Sequence, residues 1–185
     1  MKRIVLKFGL LAGGVLALVM VVSQALATRI DFEGLAVIGY TTMLLAFLMI
    51  FFGVRTYRDT VLDGRIAFGR AFKVGIMITA IASACYVVTW EILVATISSD
   101  FAQKYADFSV KKARETGASA EQLAAKEREM KSFVENYRNP FYRAPLTFLE
   151  PLPVGLLVTL VCAGALSRKK GVGAGSTVTR ATASG

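Results

Sequence analysis

Residues 35–54, LAVIGYTTMLLAFLMIFFGV, form a run of twenty residues without a charge. A helix rises about 1.5 Å per residue, so the run reaches about 30 Å, the thickness of a bilayer's hydrocarbon core. A helix satisfies its backbone polar groups within the segment, which a membrane interior demands. Three further apolar blocks are long enough to do the same: residues 8–27, 72–97 and 145–166. The expected fold class is therefore all-α, an integral membrane four-helix bundle. One membrane domain is expected over residues 1–170, with a disordered Gly/Ser/Thr-rich tail at 171–185.

The polar stretch between spans three and four has a pattern of its own. Residues 100–116 favour a helix with Phe101, Tyr105 and Phe108 on one face. Gly117 suits the residue just past its end. Ser119-Ala120-Glu121-Gln122 reads as a capping box that opens a second helix, whose stripe is Leu123, Met130, Phe133 and Tyr137 and which Asn139-Pro140 ends. The expectation is an extramembrane helical hairpin over about 100–137. Its two stripes either pack on each other, the simpler reading, or present a docking surface.

The whole chain agrees with a membrane setting. Its 185 residues are 55% hydrophobic and 19% charged, with a mean hydropathy of +0.54. Histidine is absent, which removes Ser-His-Asp and Cys-His catalysis and His-ligated metals. Cys85 and Cys162 lie in apolar blocks at depths about 10 Å apart, so no disulfide, CxxC motif or zinc ribbon is expected. There is no phosphate loop and no dinucleotide fingerprint. The net charge of +9 would suggest nucleic acid in a soluble protein. Here the basic residues flank apolar blocks, so the expected partner is the lipid bilayer, not nucleic acid.

That flanking charge sets the expected topology. Lys2, Arg3 and Lys7 precede span one. Arg55, Arg58, Arg65, Arg70 and Lys73 lie between spans two and three, and Arg168, Lys169, Lys170 and Arg180 follow span four. The connection at 28–34 carries only Arg29, beside Asp31 and Glu33. Basic residues stay cytoplasmic, so both termini are expected inside a bacterial inner membrane. The 98–144 connection, with nine Lys or Arg and seven acids, weakens the asymmetry. The basic start and Ala25-Leu26-Ala27 also resemble a secretory signal. The long apolar stretch and the Gly9/Gly13 pair favour a retained span. Asp63-Gly64 marks a turn, and Arg55, Arg58, Arg65, Arg70 and Lys73 are candidate contacts for anionic lipids at the cytoplasmic face. Ordinary positive-inside anchoring is the competing reading.

Only Glu91 and Glu150 place acids inside spans. A charge at the bilayer centre costs about 2.5–3.5 kcal/mol on insertion scales, so each is a candidate functional residue. Residue counts place both about 8–9 Å below the outer boundary, with Gln24, Tyr40 and Thr41 at comparable depth. These five residues form the candidate intramembrane polar or ion site. Pro151 and Pro153 lack N–H groups, which frees the carbonyls of Thr147 and Leu149 beside Glu150. Ala71, Gly75, Thr79 and Ser83 form one small-residue ridge, and Gly155, Thr159, Ala163 and Ser167 another. Such ridges pack spans three and four closely, or serve a homo-oligomer.

The runs GYTTMLLAFLMIFFGVRTYRD and GRIAFGRAFKVG, the pair Trp90-Glu91, DFAQKYADF, NPFYR and FLEPLPVGLLVTLV together resemble the bacterial domain-of-unknown-function family 4199. The resemblance covers roughly residues 8–170. It implies a four-span inner-membrane protein without a recognised activity, a retained first span, and membership of Glu91 and Glu150 in family motifs. It carries over no catalytic residue. The leading expectation is a non-enzymatic accessory, scaffold or interaction protein that meets a partner through the external hairpin. The alternative is a small cation or proton carrier using Glu91 and Glu150. A membrane enzyme working with Glu and Arg alone is the weakest reading. No catalytic residue, cofactor or resident metal is expected.

Overall fold

The structure is a computed structural model that describes residues 1–26 and 32–167. Arg29, Asp31, the basic residues after Ser167 and the expected tail at 171–185 lie outside the described residues. Seven helices follow one another: α1 (Lys2–Leu26), α2 (Phe32–Val61), α3 (Phe68–Thr96), α4 (Phe101–Glu115), α5 (Ala120–Tyr137), α6 (Pro140–Leu149) and α7 (Leu152–Ser167), and no strand occurs among the described residues. Four stretches are long and apolar enough to cross a membrane, as a multi-pass membrane protein requires: Lys2–Gln24, Phe32–Val61, Phe68–Thr96 and Pro140–Ser167.

Local chemistry explains where the helices run. α2 continues past its apolar core because Arg55 and Asp59, one turn apart, support each other at 3.6 Å. It ends where Asp63 and Gly64 adopt left-handed backbone, φ 48° and 81°. The connection is short, and α3 opens at Phe68, so Phe68 and Phe72 lie in its first two turns. Ser119 and Gln122 form the anticipated capping box in both directions. Gly117 takes the left-handed position (φ 81°) that turns the chain from α4 into α5.

The fourth crossing departs from the expected 145–166. Asn139-Pro140 does end α5, but it also starts α6. The Asn139 side chain accepts from the Phe141 N–H at 2.9 Å, and Pro140 fills the first helical turn, where its missing N–H costs nothing. The helix is then interrupted at Glu150-Pro151. Glu150 itself keeps helical backbone (φ −61°, ψ −51°), so the interruption is a proline kink.

α3 is the central helix. It packs against α1, α2, α6 and α7, while α4 and α5 pack on each other. The ridges expected on spans three and four meet as anticipated. A Cβ on Gly155 would lie 2.3 Å from Thr79 Cγ2, and one on Gly75 2.7 Å from Thr159 Cγ2. The two threonine hydroxyls sit 3.4 Å apart at the crossing. Gly9 and Gly13 give α1 the same close approach to α3, at Ile81 and Cys85. Phe47, Ile50, Val54, Val74 and Ile78 fill the main core. A second cluster of Met20, Trp90, Leu93, Ala102 and Tyr137 joins the bundle's other end to the hairpin.

The outer surface of the bundle is apolar, unlike that of a protein that lives in water, and a few polar side chains sit inside the core. Leu18, Leu45, Leu157 and Val161 are exposed, while Thr79, Ser83 and Thr159 are fully buried. α6 is the clearest case. Arg143 and Thr147 are buried, and Phe141 (90% exposed), Tyr142, Leu146 and Leu149 face outward. A helix that hides its polar stripe and shows its apolar one is built for a hydrocarbon surround.

Candidate functional site

Glu91 lies five residues before the end of α3, and Trp90 beside it is buried. Arg143 comes from the first turn of α6. Because α6 starts at Pro140, Arg143, Thr147 and Glu150 recur at near-helical spacing and turn toward α3.

Side chains of α3, α5 and α6 meet here in one seam. Arg143 donates to both oxygens of Glu91: Nε to Oε1 at 2.9 Å and Nη2 to Oε2. Its remaining nitrogen, Nη1, donates to the Tyr137 carbonyl at 3.0 Å. The guanidinium carbon lies 5.6 Å from the Tyr137 ring centre. The Tyr137 hydroxyl accepts from Trp90 Nε1 at 2.6 Å. A guanidinium forked onto a carboxylate matches it in shape as well as charge. Tyr137 lies outside the membrane-crossing stretches, and burial pushes its phenol up from 10.0 to about 12, while the Trp90 bond and the nearby Arg143 charge pull the other way.

Glu150 has a different partner. The Tyr86 hydroxyl donates to Glu150 Oε2 at 3.1 Å. Glu91 and Glu150 make no hydrogen bond to each other, and no cation is paired with Glu150 among the described residues. Gln24 lies in neither contact: its Oε1 accepts from Ser98 Oγ at 2.8 Å, tying α1 to the start of the hairpin. Tyr40 and Thr41 point away from the bundle, with Tyr40 55% exposed. The five residues proposed from depth alone thus divide into two separate acid contacts, one α1–hairpin contact and an outward-facing pair. Depth follows from residue counting, but the face a residue presents depends on helix rotation.

Arg143 is the residue that sequence reasoning missed. It falls six residues after α5 ends, in what reads as the polar connection. The usable signal was the Asn-Pro helix start, which carries the helical phase back to Arg143 and places it on the Thr147 and Glu150 stripe.

The basic residues of the α2–α3 connection also divide. Arg58 Nε pairs with Asp59 at 2.7 Å, and Arg55 reaches the same carboxylate. Arg65, Arg70 and Lys73 are exposed and have no acid in ion-pair reach among the described residues. Cys85 and Cys162 are both free thiols. Among the described residues, no group of three or more Cys, Asp or Glu side chains gathers as a metal site would need.

No curated protein and no solved structure matches the chain significantly. The model of one family does match, over residues 7–168. That range takes in most of α1, the seam between Glu91 and Arg143, the hairpin and all of α7, so the chain belongs to the family described as Protein of unknown function (DUF4199).

Proposed function

We propose that this is a non-enzymatic multi-pass protein of the bacterial inner membrane that works by binding a protein partner. In this reading both termini are cytoplasmic and the α4–α5 hairpin stands outside the membrane as the presenting element. The observation that carries it is the Glu91–Arg143 pair. An acid inside a span is a natural ion or proton site, but here its charge is already met by a forked guanidinium that also holds the Tyr137 carbonyl. The residue is used to fasten α5 and α6 to α3. The hairpin's helices also have low hydropathy and abundant exposed charge, from Lys104 and Lys111 to Arg128 and Lys131, which suits water better than lipid.

The test begins with a Cys85→Ala/Cys162→Ala background carrying a single cysteine at Lys111 or Arg128. A membrane-impermeant maleimide applied to intact spheroplasts should label both positions. Photo-crosslinkers at the same positions should then give a discrete adduct in cells. Labelling only after lysis, or proton or cation flux in reconstituted vesicles, would overturn the reading.

One observation favours the carrier alternative. Among the described residues Glu150 has no cation of its own, only the Tyr86 hydroxyl, and it stands at a proline kink. A carrier would use Glu150 alone, since Glu91 is taken. Vesicle flux abolished by Glu150→Gln and retained by a folded Glu91→Gln variant would establish it.

A further inference from the structure

The end of the bundle opposite the hairpin gathers positive charge that the described residues do not neutralise. α1 begins there, α2 ends, α3 begins and α7 ends. The register makes this concrete. Gly9 and Gly13 of α1 meet Ile81 and Cys85 of α3, so these two helices run parallel and Lys2 and Arg3 stand level with the first turns of α3. Val5 shares a buried cluster with Ile66, Ala71 and Val74. The same packing sets Arg65, Arg70 and Lys73 around that core while their charged ends stay exposed.

Against these stand only Asp59 and Asp63 at this end among the described residues. Asp59 is consumed by Arg55 and Arg58. Lys7 lies over the Phe8 ring, 5.8 Å from its centre, one to two turns further along the membrane axis. Phe68, nearly half exposed, stacks on Phe72 between the basic positions, at 6.2 Å between centroids and 17° between planes. Cations that form no ion pair among the described residues, set beside the half-exposed Phe68 ring at the end of membrane-spanning helices, complement a headgroup layer: phosphates for the charges, upper acyl chain for the ring.

We infer that Arg65, Arg70 and Lys73, with Lys2, Arg3 and Lys7 from α1, bind the headgroups of anionic phospholipids in the leaflet at this end of the bundle. Arg55 and Arg58 lie outside the site, because Asp59 occupies them. The inference is independent of the hairpin's role and stands or falls without it.

The test uses the full chain in a neutral detergent, with melting temperature and native mass spectrometry as readouts. Phosphatidylglycerol, but not phosphatidylcholine, should raise the melting temperature and stay bound in the gas phase. Lipid that binds only the folded state stabilises it by mass action. Arg65→Gln/Arg70→Gln/Lys73→Gln should lower the apparent phosphatidylglycerol affinity at least tenfold, while Arg55→Gln/Arg58→Gln should leave it within twofold. If the triple variant fails to fold, Arg65→Lys/Arg70→Lys replaces it. Retained selectivity for phosphatidylglycerol over phosphatidylcholine in that charge-keeping variant supports the site, and its loss overturns a headgroup site of this kind. Equal stabilisation by the two lipids, or full response in the triple variant, would also overturn it. So would equal stabilisation by inorganic phosphate or glycerol phosphate at the same concentration, since those lack the acyl chains.

Discussion

Arg143 and Glu91 are worth more as a pair than either residue is alone. Arg143 has 9% of its side chain exposed and Glu91 27%. Removing one partner leaves the other charge at a dry seam, which for a buried pair costs about 3–5 kcal/mol, and about 2–4 with Glu91 partly open to its surroundings. Arg143→Met should therefore lower the stability of the solubilised protein by that amount. Glu91→Gln/Arg143→Met should recover part of the loss, because it removes both charges. A thermal double-mutant cycle measures this, and strictly additive losses would show that the residues do not act as a pair. Tyr137 adds a pH signature. Its folded phenol titrates at about 12 against an ordinary 10.0, burial being the main cause. A group raised by folding contributes stability in full below the unfolded value and loses it as pH climbs toward the folded value. Stability should therefore fall between pH about 10 and 12 through this group. Tyr137→Phe should flatten that part of the profile relative to wild type, the lysines being common to both proteins. It should also cost about 1 kcal/mol at neutral pH, since Trp90 Nε1 loses its acceptor.

At the scale of elements, the α3–α7 crossing tests how closely these helices must approach. A methyl added at Gly155 would meet Thr79 Cγ2 at 2.3 Å and Phe47 Cζ at 3.2 Å, whereas nothing lies within 4 Å of one added at Gly164 on the same helix. Gly155→Ala should cost about 1–3 kcal/mol through overpacking. Gly164→Ala should stay within about 0.5 kcal/mol. Equal melting temperatures for the two variants would mean that the helices do not cross on this ridge. This crossing was legible in the sequence because small residues every four positions leave one kind of gap. The four crossings were legible because hydropathy is additive along a helix, and the hairpin because Gly117 and the Ser119 box act locally. The partners of Glu91 and Glu150 were not legible. They depend on where α6 starts and how it is rotated, and Asn139-Pro140 signals a stop and a start alike. Tyr40 and Thr41 show the same limit, since a uniformly apolar helix has no stripe to reveal which side faces in.

For the molecule as a whole, the question is whether the hairpin moves with the bundle or swings on its connections. Three contacts, from two sides, bind it. Arg143 and Trp90 hold Tyr137 at the end of α5. Phe32 at the start of α2 packs against Phe101, Tyr105 and Phe108 of α4, with centroids 6.1, 6.1 and 5.1 Å away. Lys112 of α4 pairs with Glu33 of α2, which holds its ammonium above the usual lysine value. That last pair is exposed and worth little, so the aromatic contacts and the Tyr137 seam carry the attachment. A rigidly mounted hairpin loses little conformational entropy when a partner docks, which suits a presenting element. Amide exchange should then protect α4 and α5 nearly as well as the adjoining end of α3, because opening them requires breaking the seam. Glu91→Gln/Tyr137→Phe should raise exchange throughout α4 and α5 while leaving α1 and the first half of α3 protected. Fast hairpin exchange in the wild type would instead describe a flexible arm, and the seam would then serve only to anchor the entry into α6.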